Sequence, residues 1–250
     1  MRTLQAIPVR GVGEIWPGDS LAAKILGALK RQRLRLLRGD ILVVTHKIVS
    51  KSEGRIVPLA GVKPSPTARR WARRFGHDPR TVELALAESR RIVRKRRGVL
   101  ITETVCGLVC ANSGVDLSNV DGGMSAVLLP KNPDRSAAAL HRVLRRKLGI
   151  AIPVIITDSF GRPWREGLCE TAIGAAGMKV FRDFRGQRDP YGYKLRVTLE
   201  AVVDELASMA WLVCPKLSRA PVCIIRGFPF TPGRGRAREL VRPKRLDLFR

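Results

Sequence analysis

Thr157-Asp158-Ser159 sets a carboxylate between two hydroxyls, and the guanidinium groups of Arg162 and Arg165 follow closely in the chain. Hard oxygen donors of this kind suit Mg²⁺ or Mn²⁺, and arginines beside them suit neutralisation of phosphate charge. In isolation the same pattern is a strand-end aspartate capping a turn, with its arginines solvated. A second cluster runs from Asn112 through Ser113, Asp116, Ser118 and Asn119 to Asp121. Asn and Asp favour turns of their own, but Asp116 also gives the chain a second hard-metal ligand to pair with Asp158. Phosphoryl transfer recurrently gathers such carboxylates from separate segments. A third segment, Thr45 to Lys51, places His46, Lys47 and Lys51 directly after an apolar run, a pattern shared by phosphate-binding segments and plain basic turns. Near the start, Gly11 and Gly13 permit close backbone approach to a ligand, although Gly-x-Gly alone is a weak signature.

These residues need elements to position them. Val154-Ile155-Ile156 is short, β-branched and preceded by Pro153, which favours a core strand delivering Asp158 to a loop held by Gly161, Pro163 and Gly167. Residues 3–9, Ile41–Val44, Val99–Ile101, Ala126–Leu129 and Val222–Ile225 read as further strands, and the small residues from Thr171 to Gly177 as a closely packed one. A helix capped by Asp19 or Ser20 is expected to reach about Arg38, with Leu21, Ile25, Leu29 and Leu36 inward. Thr67–Arg97 is helical in pattern and heavily basic. Asn132-Pro133 starts a helix with Leu140, Val143, Leu144 and Leu148 as its core stripe. Val197–Val213 is the clearest helix, and residues 181–194 read as a surface loop. The expected class is mixed α/β.

The 250 residues are 45% hydrophobic, enough for a substantial core. No apolar leader follows Met1-Arg2, and no run approaches the roughly 18 residues of a membrane helix, so a soluble cytoplasmic protein with no membrane contact is expected. Five cysteines without a CxxC pair indicate neither a disulfide framework nor a zinc knuckle. The formal charge of +26, from 47 basic and 21 acidic residues, makes nucleic acid the obvious partner. Against it, aromatics are only 5%, no nucleic-acid motif is present, and the basic residues are spread along the chain. Polyanionic small molecules such as nucleotides account for the charge as well.

Taken together, Thr157-Asp158-Ser159-Phe160-Gly161-Arg162-Pro163-Trp164-Arg165-Glu166-Gly167, Ala111-Asn112-Ser113-Gly114-Val115-Asp116-Leu117-Ser118-Asn119-Val120, Lys47-Ile48-Val49-Ser50-Lys51 and the tail from Val241-Arg242-Pro243 to Asp247-Leu248-Phe249-Arg250 resemble the coenzyme F420-0:γ-glutamyl ligase family. The resemblance spans nearly the whole chain. It implies a distinctive fold of mixed sheets and flanking helices, one catalytic unit over residues 1–250, either a single body or two intertwined subdomains with no internal boundary assigned, and a homodimer with the nucleotide site near its interface. The implied activity is GTP-dependent: L-glutamate is joined to coenzyme F420-0, first as an α-amide and then through the γ-carboxylate, by way of an acyl phosphate, releasing GDP and phosphate. The implied ions are Mg²⁺ or Mn²⁺, with K⁺ in addition. By position, Asp116, Asp158 and Ser159 match the metal ligands. Val12, Gly13, Glu14, Ile15, His46, Lys47, Lys51 and Asn119 match the nucleotide contacts. Asp116 and Asp158 are catalytic through the metal, and Arg162 and Arg165 are candidate clamps for phosphate or carboxylate.

Three positions depart from the family's pattern. His46 stands where a Ser is commoner, Val105-Cys106 replaces an Arg-His pair, and Lys216 replaces a Gln or Glu metal ligand, where its ammonium is expected to act as a fixed charge in the second metal's place. Two other readings stay open: a basic nucleic-acid-binding protein on the same scaffold, and a ligase for another carboxylated cofactor.

Overall fold

The computed structural model describes residues 3–248, so Phe249 and Arg250 of the tail motif lie outside the described residues. The chain is mixed α/β. Strand β1 (Gln5–Val9) leads to helix α1 (Leu21–Arg31), where the Ser20 hydroxyl accepts from the Ala23 amide as N-cap. α1 stops well short of Arg38, because Arg33 turns left-handed at a φ of 55° and the intrahelical ladder cannot continue through it. Strand β2 (Ile41–Thr45) runs straight into α2 (His46–Ser52), so the segment whose pattern suits either a phosphate-binding segment or a basic turn is a helix. After β3 (Ile56–Pro58) the basic stretch that reads as one long helix is three elements: α3 (Pro66–Phe75), α4 (Pro79–Ala87) and strand β4 (Ser89–Arg96). Gly76 closes α3 in the left-handed conformation, and Asp78 caps α4 with Pro79 in its first turn.

Strands β5 (Val99–Thr104), β6 (Val109–Ala111) and β7 (Ser125–Val127) follow. Helix α5 (Pro133–Leu148) begins at the expected cap, Asn132 accepting from the Arg135 amide. Strands β8 (Val154–Arg162) and β9 (Arg165–Ala176) form one long hairpin, which carries Asp158 and Arg162 inside a strand instead of in a loop. Two short strands, β10 (Arg182–Asp183) and β11 (Leu199–Glu200), pair across the segment expected as a loop. They leave α6 (Val202–Val213) shorter than its sequence pattern, and β12 (Val222–Arg226) closes the sheet.

The central sheet has the order β1-β12-β2-β8-β9, with β2 and β8 parallel and the other neighbours antiparallel. Its strands bury both faces. Leu42, Val44, Val154 and Ile156 pack with Ile25 and Leu29 of α1 and with Leu140 and Leu144 of α5. Ile41, Val43, Ile155 and Ile225 pack with Val203 and Leu206 of α6 on the other side. That double burial is why these strands read as unbroken apolar runs. β9 is an edge strand pinned by carboxylates: Asp134 accepts from the Ala175 amide and Asp204 from the Ala172 amide. A Cβ on Gly174 would fall 2.4 Å from the Pro133 carbonyl oxygen, which explains the run of small residues there.

Between α2 and α5 the chain builds a smaller lobe. Its sheet has the order β4-β5-β6, and its cores centre on Leu59, Leu84 and Leu128 and on Ala72, Val82 and Leu100. Among the described residues no helix is long and apolar enough to cross a membrane.

Candidate active site

The parallel register pairs Thr45 with Thr157. The residues that follow, His46 and Asp158, therefore leave the sheet side by side at the carboxyl ends of β2 and β8, the edge at which open α/β sheets commonly hold ligands. His46 is buried at 1% exposure, and its Nε2 lies 3.3 Å from Asp158 Oδ1 although no hydrogen bond joins them. Its Nδ1 is 3.4 Å from Ser50 Oγ, one helical turn on.

Positions four apart share a helix face, so His46 and Ser50 form one stripe of α2, and Lys47 and Lys51 form another. The Lys47 ammonium donates to the Ser118 carbonyl at 2.8 Å and the Ser118 hydroxyl at 2.6 Å, and lies 2.8 Å from Asp116 Oδ2. Asp116 Oδ1 accepts from the Ser118 amide, the Asx turn that the sequence suggests. Burial works against charge on Asp116, but the hydrogen bonds from Lys47 and Ser118 outweigh it and bring its pKa down to about 2. Lys51 reaches Glu14 Oε2 at 3.5 Å, and Lys24 donates to the Glu14 carbonyl. The turn Val12–Ile15 is thereby held beside α2, with Val12 and Ile15 buried and Gly13 and Glu14 exposed. Asn119 is exposed at the rim, with a φ of 58°.

The structure thus brings the 12–15 turn, the α2 stripe, Asp116 and Asp158 around one helix. Two expected groups stand apart. Strand alternation puts Asp158 on the same face as Ile156 and Phe160, and puts Thr157 and Ser159 on the opposite face, toward α6. There the Ser159 hydroxyl donates to Glu170 Oε2 at 2.9 Å and Thr157 donates to Oε1 at 2.6 Å. Arg162 and Arg165 pair at the hairpin tip, both exposed. Arg162 is four residues past Asp158, which at strand rise is about 13 Å. Lys216 is exposed in the turn after α6.

Glu170 is a residue that sequence reasoning missed. It is only 5% exposed, and burial, reinforced by the nearby charge of Asp158, raises its pKa against the lowering effect of its two hydroxyl donors and His46. Its sequence signal was a lone acid among Cys169 and the small residues of β9, easily taken for a solvated side chain. Cys110, also buried, has its thiol pushed upward chiefly by desolvation, with Asp158 adding to the effect.

Among the described residues no three His, Cys, Asp or Glu side chains gather as a closed metal cage. The donor chemistry fits an open site. Mg²⁺ typically takes one or two protein carboxylates and completes its shell with water and substrate phosphate, and Asp116 and Asp158 are the two carboxylates at the end of α2.

The family model described as F420-0:Gamma-glutamyl ligase matches residues 11–227. The coenzyme F420:L-glutamate ligase of Methanothermobacter thermautotrophicus is 44% identical over 250 residues, 99% of each chain. Its counterpart in Methanopyrus kandleri is 43% identical over 253 residues, covering 99% of this chain and 98% of its own. That of Methanocaldococcus jannaschii is 42% identical over 85% of both. On this likeness over nearly its whole length, the chain belongs to the F420-0:γ-glutamyl ligase family.

Proposed function

We propose that this protein is a GTP-dependent ligase that forms an amide between L-glutamate and a carboxylate of coenzyme F420-0 in the cytoplasm. The observation that carries the reading is the convergence of Asp116, Asp158, Lys47 and Lys51 on α2 in a chain of this family. A carboxylate is a poor electrophile. Attack of its oxygen on the γ-phosphorus of GTP expels GDP and leaves an acyl phosphate, and attack of the glutamate amine on the acyl carbon then expels phosphate.

In this proposal Asp116 and Asp158 would hold Mg²⁺ or Mn²⁺, which when bound supplies charge neutralisation on the phosphates. Lys47 exchanges part of its contact with Asp116 for phosphate oxygen, and Lys51 turns from the exposed Glu14 toward the nucleotide. His46, buried with its Nε2 3.3 Å from Asp158 Oδ1, borders the Asp158 carboxylate on the nucleotide side of β8. The turn Val12–Ile15 and Asn119 line the approach. Because Arg162 and Arg165 stand at the tip of the β8–β9 hairpin, far beyond Asp158, they are assigned to the substrate carboxylates of a second copy. Trp164 and Leu168, 82% and 59% exposed on the same hairpin, support pairing of two chains there.

The test combines purified protein, GTP, L-glutamate, F420-0 and either divalent ion, following GDP release and product mass. A mass gain of one or more glutamyl units matched by GDP is expected. GDP release without mass gain, or no turnover with either ion, overturns the proposal. The same assay with other carboxylated cofactors settles the acceptor.

A further inference from the structure

We propose that the outer edge of the lobe between α2 and α5, where α3 meets β4, binds the phosphodiester backbone of duplex nucleic acid, a function independent of glutamate ligation. In the sequence the basic residues are dispersed, but the fold collects two runs of them. Arg69, Arg70, Arg73 and Arg74 are exposed on α3. Arg94, Lys95, Arg96 and Arg97 are exposed on β4 and its turn to β5, Lys95 on the side where Leu100 packs on α3 and Arg94 and Arg96 on the other, so that they flank the outer edge of the sheet.

The two runs adjoin. His77, just past α3, lies 3.0 Å through its Nε2 from the Gly98 carbonyl in the β4–β5 turn. A Cβ on Gly98 would meet His77 Nε2 at 2.8 Å and Phe75 Cβ at 3.1 Å, so the turn sits directly on the end of α3. An open depression lined by Arg69, Arg73, Gly76 and His77 lies on the same face.

The acids of α4, its caps and β5 are engaged away from the two runs. Asp78 holds Arg80, Glu83 accepts from the Ser65 amide, Glu88 holds Arg55, and Glu103 holds Arg91. None of the eight cations of the two runs makes an ion pair among the described residues. Arg73 and Arg74 do complement the dipole of α3 at its C-terminal turn, but that does nothing for the four cations of the β4 run. Nor does the candidate active site account for them. β4 is the outer strand of the β4-β5-β6 sheet, and contact with β8 is made from the opposite edge, by β6.

The chemistry of the face selects the ligand. Seven of the eight cations are arginine, whose planar fork matches phosphate oxygens two at a time. Trp71 and Phe75 pack on one another tilted by 50°, with centroids 4.5 Å apart and Trp71 against the lobe's core, so these rings offer no open platform for unpaired bases. No large apolar side chain is exposed on α3 to enter a bilayer. What remains is recognition of a regular array of phosphates, as on a duplex.

The test measures binding of a fluorescent duplex of about 25 base pairs, as DNA and as RNA in separate arms, to the full chain across a salt series. Arg73→Gln, Arg74→Gln, Arg96→Gln and Arg97→Gln are combined in one variant. A second variant with the same loss of charge carries Arg142→Gln, Arg145→Gln, Arg146→Gln and Lys147→Gln on α5. The parent should bind one duplex or both more tightly than 10⁻⁶ M at physiological salt, the upper edge of ordinary nonspecific binding. The lobe variant should lose at least tenfold, with its log–log salt slope shallower by about one per phosphate contact removed. The α5 variant should change little. Equal losses in the two variants would reduce the effect to overall charge and overturn the proposal. So would failure of the parent to bind either duplex, or binding to anionic vesicles alone.

Discussion

The Lys47 ammonium lies 2.8 Å from the Asp116 carboxylate and bridges it to the carbonyl and hydroxyl of Ser118. The cation thereby ties α2 to a loop 71 residues further along the chain. In metal-free protein the pair makes stability depend on acid. Asp116 has a folded pKa of about 2, below the 3.8 of an unperturbed aspartate. Its contribution is present above the unfolded pKa and is lost as pH falls from about 4 to about 2. A shift of this size corresponds to about 2 kcal/mol. Denaturant midpoints of the parent and Asp116→Asn should therefore differ at pH 6 and converge by pH 2. A constant difference across that range would show that Lys47 does not set the Asp116 pKa.

Asp158→Asn removes charge and almost no volume. Glutamylation should fall by about 10²-fold or more, while the melting temperature stays within a few degrees of the parent. Near-parental turnover would leave Asp158 as a positioner of His46 and of the Ser159 amide, to which it is bonded at 2.8 Å.

Glu170→Leu should unfold more easily than Glu170→Gln. The leucine strands the hydroxyls of Thr157 and Ser159, which both donate to Glu170, and each buried unpaired polar group costs about 1–3 kcal/mol. The glutamine keeps an acceptor and a similar shape. Urea midpoints of the two variants decide the matter, and equal values would mean that water replaces the carboxylate freely.

Gly174→Ala drives a methyl into the backbone of Pro133, where the nearest atoms are 2.4 and 2.5 Å away. Backbone cannot swing aside as a side chain can, so a loss of about 1–3 kcal/mol is expected, read as a lowered melting temperature. Gly161→Ala, with nothing near its site, is the control and should melt with the parent.

Trp164→Ser combined with Leu168→Ser tests the proposed pairing. Sedimentation should give a dimer for the parent and a monomer for the double variant. A monomeric parent would instead require Arg162 and Arg165 to act at the end of their own hairpin.

The strands of the central sheet were legible because burial on both faces makes them short apolar runs, as in Ile41–Val44 and Val154–Ile156. α5 was legible through its Asn132-Pro133 start. The stretch from Thr67 to Arg97 was not. In β4 the charged side chains hide a strand that only pairing with β5 reveals, and Gly76 with Asp78-Pro79 splits what looks like one helix. At the site, residue types singled out His46, Lys47, Asp116 and Asp158, but types alone could not order them on strands. Whether Asp158 and Ser159 share a face depends on the alternation of β8, and the distance to Arg162 depends on that strand continuing past Asp158. Glu170 was hidden because its partners lie on the other arm of the hairpin.

The parallel pairing of β2 with β8 has a consequence for how the protein can vary. Every residue from α2 to the end of α5 is, topologically, one excursion between two strands held in register by Leu42 with Val154 and Val44 with Ile156. The entropy of closing such an excursion grows only with the logarithm of its length, so doubling it costs about 0.6 kcal/mol. His46 and Asp158 meet whatever the length of chain between them, provided the strands pair. Lengthening an exposed turn of the lobe therefore costs little closure entropy, whereas a single-residue slip of β2 against β8 separates the two side chains at once.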